Sequence, residues 1–429
     1  MNAIDTDIQI TTQADMSAGK ISAHLWLSFA VCFFSNVFAG LISTLMSVYL
    51  PVVVTDLSGS TGDLPRISGT ISALYIAGWT VGGFTWGFIS DRIGRTKALA
   101  LSIGTFGLFT LMISFASTWE FVVAFRLLSG FSVGGILVLT PTLLSEIWPA
   151  RSRSVMIGID SIGFPVGIFS SGLVTVLVND WRGAFFVGIP PMIIALLSIW
   201  VLKESDNWRA SRTGKKSIAG PGARADLLKG AIIFGSMLIG LWGMFSWIPT
   251  WVQSLLTGSD GQSERGVTMM LLGGGGLLGG FISGWVSDSL GVRKAMLVCF
   301  SGCIVMSFLL FGLNNSFHVI IYPELALLSL FFGISQGLLS IYIPQLFPYH
   351  IRGTYTGICF NIGRIFTTVA IFFVGVLVTS FGGYGNTLLA FAGIFVLGFI
   401  AVYFAGDKTK SLTARPALDA GESTEAGKV

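Results

Sequence analysis

Gly87-Phe-Ile-Ser-Asp91-Arg92-Ile-Gly94-Arg95-Thr-Lys97 stands between two long apolar runs, and Gly284-Trp-Val-Ser-Asp288-Ser-Leu-Gly291-Val-Arg293-Lys294 repeats it in the second half of the chain. In each copy a serine-aspartate pair closes an apolar run, a glycine follows three residues after the aspartate, and basic residues open the next run. Each copy reads as the loop at the cytoplasmic end of the second helix of its half. A second echo lies further along each half. Pro141-(x)4-Glu146-Ile-Trp-Pro149-(x)3-Arg153 matches Pro344-Gln345-Leu-Phe347-Pro348-(x)3-Arg352-Gly353. Two echoes in register describe a chain built from two parallel repeats.

The runs around these turns set the class. The 429 residues are 53% hydrophobic and 11% charged, whereas a soluble domain carries about a quarter charged residues. Apolar segments of about 20 residues recur throughout, each long enough to cross ~30 Å of hydrocarbon. They are continuous and do not alternate with period two, which excludes an outer-membrane barrel. The expected fold is an all-α polytopic membrane protein with twelve spans at 24–54, 67–90, 98–116, 118–145, 155–178, 183–202, 228–257, 265–287, 295–313, 319–345, 354–380 and 386–405. The predicted layout is a cytoplasmic tail (1–23), a six-helix bundle (24–202), a basic linker (203–227), a second bundle (228–405) and a cytoplasmic tail (406–429). Residues 1–22 are polar and carry no signal peptide.

Charge gives the orientation. Of 25 Lys and Arg, all but five fall in cytoplasmic segments when both termini are inside; Arg66, Arg182 and Arg265 then lie outside, and Arg126 and Arg364 within spans. This is the positive-inside arrangement and predicts a multi-pass protein of the inner membrane. Trp119, Trp181 and Trp251, near span ends, read as interfacial anchors. Cys32, Cys299, Cys303 and Cys359 lie in apolar runs with no His or carboxylate at ligand spacing, so no metal, disulfide or cofactor is expected. The Gly273–Gly276 run reads as a helix-packing surface and lacks the Lys-Ser/Thr of a phosphate loop. No embedded His/Ser/Asp set supports an enzyme, and nothing points to nucleic acid.

The G-x-x-x-D-R-x-G-R pattern, twice in register, resembles the signature loop of the major facilitator superfamily. Arg126-Leu-Leu-Ser129-Gly130 resembles that superfamily's fourth-helix arginine motif. With Trp181-Arg182-(x)2-Phe185 and Asn361-Ile-Gly-Arg364, the resemblance narrows to metabolite:proton symporters of sugars, aromatic acids and sialate-type organic acids. It implies a monomer of two bundles that alternately expose one site. It also implies that Asp91, Arg92, Arg95, Glu146 and Arg153, with Asp288 and Arg352 in the second half, gate the cytoplasmic mouth. Some positions depart from the pattern. Ser289 replaces the second arginine of the loop, Ser236–Trp242 lacks a sugar porter's paired glutamines, and Phe34–Gly40 has none of the first-helix aspartates of aromatic-acid carriers.

Charges inside spans are costly and face a cavity or a partner. Arg364 lies about 15 Å deep at ~1.5 Å per residue, and its planar guanidinium fits a carboxylate. Asn361 shares its face at i−3. Arg126 is the second arginine, and Gln336, Asn36, Tyr75 and Trp242 are further cavity candidates. Asp160 and Glu324 are the embedded acids able to carry a proton. An electropositive site favours a small organic anion, imported with protons. An exporter of the same fold, suggested by Gly163-Phe-Pro165-Val-Gly167, and a neutral sugar carrier are the alternatives. A non-transporting receptor would need a long folded extension.

Overall fold

The computed structural model describes residues 22–59, 63–149, 151–204, 223–256, 261–347 and 352–405, without the side chains of Ser154, 223–225, 344–345 and 352–357. Among these residues the structure is helical, with no strand. Hydrocarbon offers no partner for peptide groups, so a spanning segment must satisfy its own hydrogen bonds, as a helix does. Hydroxyls inside the helices follow the same rule by bonding carbonyls one turn back: Ser35 to Val31 O (2.6 Å) and Thr110 to Phe106 O (2.7 Å).

The chain divides into two compact units, Met1–Gly214 and Lys215–Val429. The first holds α1 (Ala23–Ser58), α2 (Leu64–Ile93), α3 (Arg95–Ile113), α4 (Trp119–Ile147), α5 (Arg153–Leu177), the short α6 (Trp181–Ala184), a 3-10 turn (Phe185–Gly188) and α7 (Ile189–Val201). The second holds α8 (Ala223–Phe245), α9 (Ile248–Ser254), α10 (Gln262–Leu290), α11 (Val292–Ser307), a π turn (Phe308–Gly312), α12 (Ile321–Gln345), α13 (Arg352–Ser380), α14 (Tyr384–Ala392) and α15 (Ile394–Ala405).

Among the described residues, ten helical stretches are long and apolar enough to cross a bilayer, against the twelve expected. The other two expected spans are helices as well. In α2, five glycines and six serines and threonines dilute the apolar side chains. In α13 the apolar stretch that stands out is Ile358–Val374. The seventh expected span is broken: Ser246 and Trp247 form a turn between α8 and α9, and Pro249 follows at the start of α9, where its missing N–H costs no helical bond.

The sequence echo has a structural counterpart. Gly94 and Gly291 both take positive φ, 106° and 76°. Each donates its N–H to the serine four residues back, Ser90 O at 3.1 Å and Ser287 O at 2.9 Å. Each thus ends one helix and starts the next, in a conformation that a side chain would strain. Packing is duplicated too. Gly78 and Gly82 of α2 lie against the Leu127 and Phe131 carbonyls of α4, while Gly275 and Gly279 of α10 lie against those of Ala326 and Leu330 of α12. Small residues let these helices approach to backbone contact.

Two tryptophans expected at the membrane interface are interior instead. Trp181 is buried and donates to Asp56 Oδ2 (3.1 Å), which also takes Arg182 Nη1 (2.6 Å). Trp251 is buried edge-on to Phe311 at 5.0 Å. Position near a span end places such rings at the right depth but does not say whether they face lipid or protein.

Candidate functional site

Three charged side chains are buried among the described residues: Arg126, Asp160 and Arg265. Asp160 sits on α5 against α1, where the two helices run in backbone contact. A methyl group on Gly40 would strike the Phe164 carbonyl, and one on Gly167 would strike the Val37 carbonyl. That approach brings Asn36 onto Asp160. The Asn36 amide donates to Asp160 Oδ2 at 2.8 Å and to Thr140 Oγ1 at 3.0 Å. Asp160 is 1% exposed, and its Oδ1 has no hydrogen-bond partner among the described residues. Three helices therefore meet on one carboxyl, in a group that Asn36 organises.

Arg126 of α4 lies further along the same helix α1. Its Nη1 and Nη2 donate to the carbonyls of Ile42 (3.1 Å) and Ser43 (3.2 Å). Its guanidinium stacks on the Tyr75 ring, 3.6 Å from the centroid. The Tyr75 hydroxyl meets Ser43 Oγ at 2.5 Å, so one arginine ties α1 to α2 and α4. No acid pairs with it among the described residues. Asn36 and Ser43 are seven residues apart, or about 10 Å along the helix. The first unit thus holds a buried cation and a buried carboxyl in separate places on one helix face.

In the second unit, Arg364 and Asn361 lie part-buried on α13, and Arg364 Nη1 donates to Asn361 Oδ1 at 3.3 Å. The shared face expected from their spacing is present. Phe360 stacks on Phe234 of α8 at 4.2 Å, and Gly363 meets Gly235, which fixes α13 against α8. Trp242 is buried on α8. Gln336 of α12 is part-buried, and its Nε2 has no partner among the described residues. Glu324 sits in the first turn of α12, where its Oε2 takes the Asn314 amide at 2.8 Å.

The sequence reading counted Arg265 with the outside basic residues, at the first position of the expected span 265–287. It lies in the first turns of α10 with 0% exposure, and its Nη1 donates to Gln253 Oε1 of α9 at 2.5 Å. The helix starts three residues earlier than the apolar pattern indicates, which carries this arginine inside.

The predicted gating residues divide into three groups. Arg95 is the centre of the first. It donates to Asp91 Oδ1 (2.7 Å), Ser90 Oγ (2.6 Å) and Glu146 Oε1 (3.3 Å). Glu204, which the sequence offers as the first residue of a reduced sugar-porter tail, closes the same corner: its carboxylate takes the backbone N–H groups of Arg95 (2.8 Å) and Thr96 (3.3 Å) and the Thr96 hydroxyl (2.9 Å). A carboxylate at a helix N-terminus satisfies donors that the helix leaves open. Arg153 stands apart from Asp91 and donates instead to the Trp148 carbonyl, twice at 3.1 Å, while Arg92 is exposed. In the second unit Asp288 is exposed and makes no ion pair among the described residues. There Arg293 bonds the carbonyls of Val402 (3.4 Å) and Tyr403 (2.5 Å). The side chain of Arg352 lies outside the described residues.

Comparison with known proteins gives this arrangement its family. The cis,cis-muconate transport protein of Acinetobacter baylyi is 25% identical over 91% of this chain and 96% of its own length. The gallate transporter of Pseudomonas putida is 25% identical, over 80% of this chain and 83% of its own. The niacin transporter of A. baylyi is 26% identical, over 84% and 90%. In fold, the chain is similar to the inward open xylose transporter of E. coli, with a TM-score of 0.73 at 15% identity, over 89% of this chain and 96% of that one. Residues 32–370 match the family model of the Major Facilitator Superfamily. The chain therefore belongs to the Major Facilitator Superfamily of membrane transporters, and its function is transport rather than catalysis.

Proposed function

We propose that this protein imports a small organic anion, a carboxylate, by proton symport and alternating access. The observation that carries the reading is a buried cation, Arg126, with which no acid pairs among the described residues. Arg364 adds a second, part-buried cation. Charges at membrane depth are retained where they serve a solute or an ion, and this excess suits an anion. The names of the relatives agree, since muconate, gallate and niacin are all carboxylic acids.

In this reading Arg364 and Asn361 grip the carboxylate, helped by Gln336 and Trp242. Arg126 and Tyr75 hold α1 in place, since both N–H contacts of Arg126 go to α1 carbonyls. Asp160 carries the proton on its open Oδ1, and Asn36 senses whether it is there. Asp91, Arg92, Arg95, Glu146 and Arg153, with Asp288 and Arg352, form the gate. Glu324 is assigned to the helix start and not to coupling, because Asn314 already occupies its carboxylate. Proton symport answers a real opposition: an inside-negative membrane expels an anion at ~2.3 kcal/mol per charge per 100 mV. We also take α2 and α13 as crossing, which makes twelve spans in two six-helix halves, with both termini cytoplasmic, in a monomer of the inner membrane.

The test is uptake into proteoliposomes with an imposed acid-outside gradient. Radiolabelled benzoate, muconate, xylose and tetraphenylphosphonium would be compared. Accumulation of the carboxylates, abolished by a protonophore, is the expected result. Accumulation of xylose alone would move the assignment to a sugar carrier, and extrusion of the lipophilic cation would move it to an exporter.

A further inference from the structure

Threonines inside these helices commonly spend their hydroxyl proton on the helix itself. Thr44, Thr80, Thr110, Thr142 and Thr367 each donate to the carbonyl four residues back. Thr140 of α4 does not, among the described residues. It is 0% exposed, its Oγ1 takes the Asn36 amide at 3.0 Å, and it also faces the Asp160 carboxyl. The same Asn36 nitrogen reaches Asp160 Oδ2 at 2.8 Å. Both N–H groups of that amide are thus committed, while the Thr140 O–H is left for the carboxyl.

A carboxyl that loads and unloads a proton has opposite needs in its two states. Ionised, it only accepts; protonated, it must also donate. Asp160 is 1% exposed, so both needs fall on its neighbours, and a buried polar group left unpaired is costly. The Asn36 N–H serves the carboxylate but cannot accept the acid's proton. A hydroxyl has one donor and two acceptor positions and turns to suit. Other ionisable groups here are few. Cys32 of α1, one turn from Asn36, faces Asp160. On α4, Arg126 is bonded to α1 carbonyls and Glu146 to Arg95. On α5, Arg153 is bonded to the Trp148 carbonyl.

We propose that Thr140 is a positioning residue for the coupling carboxyl, serving it in both protonation states. With Asp160 ionised, the Thr140 O–H donates to it. When the proton arrives it stays on Asp160 and is donated to Thr140 Oγ1. The threonine hydrogen then turns back to the Ile136 carbonyl, four residues earlier, as the other threonines do. Thr140 keeps its own proton throughout; the one proton gained and lost belongs to Asp160. The proposal rests on the reading of Asp160 as the proton carrier.

The test is the pH dependence of gradient-driven uptake of radiolabelled benzoate into proteoliposomes, by wild type and by Thr140→Val, Thr140→Ala and Thr140→Ser. Removing the hydroxyl costs the carboxylate a charge-assisted bond and the acid only an ordinary one, so the proton is held more tightly. In the valine and alanine variants, half-maximal uptake should move about one unit to alkaline pH, about a tenfold change in proton concentration. The serine variant keeps the hydroxyl and should follow wild type. Valine and alanine differ in shape, so a shift common to both reports the hydroxyl and not packing. Size-exclusion chromatography checks that each is folded, and either one alone decides. Hydroxyl-free variants that superimpose on wild type, or a serine variant shifted with them, would overturn the role of Thr140. Asp160→Asn separates that failure from the failure of the reading beneath it. Gradient-driven uptake that survives in Asp160→Asn would sink Asp160 as the carrier. Its loss there, with the Thr140 variants unmoved, would sink Thr140 alone.

Discussion

Asp160→Asn is the substitution that bears most directly on coupling. The amide has the volume of the carboxyl, and its oxygen can still accept the Asn36 bond now made at 2.8 Å. What it cannot do is release and regain a proton at the Oδ1 position, which has no other partner among the described residues. A single coupling carboxyl moves one proton per cycle, so a singly charged anion crosses with no net charge and the membrane potential drops out. With an acid-outside gradient of one pH unit, the wild type should accumulate substrate about tenfold, since one unit is ~1.36 kcal/mol. Without the proton, the same anion moves alone against an inside-negative 100 mV at ~2.3 kcal/mol, and the internal level falls to about one-fiftieth of the external one. The two steady states differ by roughly 500-fold on these figures. The assay is accumulation of labelled benzoate in proteoliposomes under a set gradient and potassium-diffusion potential, paired with exchange in the absence of any gradient. Exchange should survive in Asp160→Asn, because substrate binding and the conformational cycle do not consume the proton gradient. Gradient-driven accumulation equal to that of wild type would refute the assignment of Asp160 and of the group around Asn36.

Arg364→Gln keeps a donor at the same place but loses the charge, and it should raise the half-saturation for benzoate uptake about 10- to 100-fold, as expected for a charge-assisted pair worth ~1.5–3 kcal/mol; an unchanged value would make Arg364 structural. Glu204→Gln weakens the acceptor for two backbone N–H groups at the start of α3, at a cost of about 1 kcal/mol, read as a fall of about 2–4 °C in melting temperature. No fall would show that the corner is held by Arg95 alone. Gly167→Leu drives a side chain into the Val37 carbonyl, a backbone collision costing more than the ~1–3 kcal/mol of ordinary overpacking; it should abolish monodisperse folded protein on size-exclusion chromatography, whereas Gly158→Leu on the same helix, where a Cβ meets nothing, should not.

The helices were legible because hydrocarbon imposes a length and a composition that no other environment requires. The junctions at Gly94 and Gly291 were legible as loops because the chain writes the motif twice; that both glycines take positive φ is what the structure adds. The pairing of Asn36 with Asp160 was not, although each residue was singled out alone. It joins positions 124 apart in sequence and depends on a helix approach set by Gly40 and Gly167, glycines that look the same in the sequence as many others. Arg265 escaped for a related reason. A span boundary read from apolarity says nothing of which side chains near it are buried, so the bond of Arg265, at the first position of one expected span, to Gln253, near the end of another, was not visible in the sequence.

The two halves teach the sharper lesson. Their repeated loop has one backbone and two chemistries. In the first unit Arg95 gathers Asp91, Glu146 and Ser90. In the second, Arg293 follows the glycine one position later and turns onto the carbonyls at the end of α15, leaving Asp288 exposed. A turn is fixed by steric limits that act on the chain locally, so duplication preserves it. An ion pair on a part-exposed surface contributes at most about 1 kcal/mol, and a shift of one residue is enough to exchange it for backbone contacts. Motif resemblance therefore transfers the bend of the second loop with far more authority than it transfers a gate, and the role of Asp288 must be argued from its own surroundings.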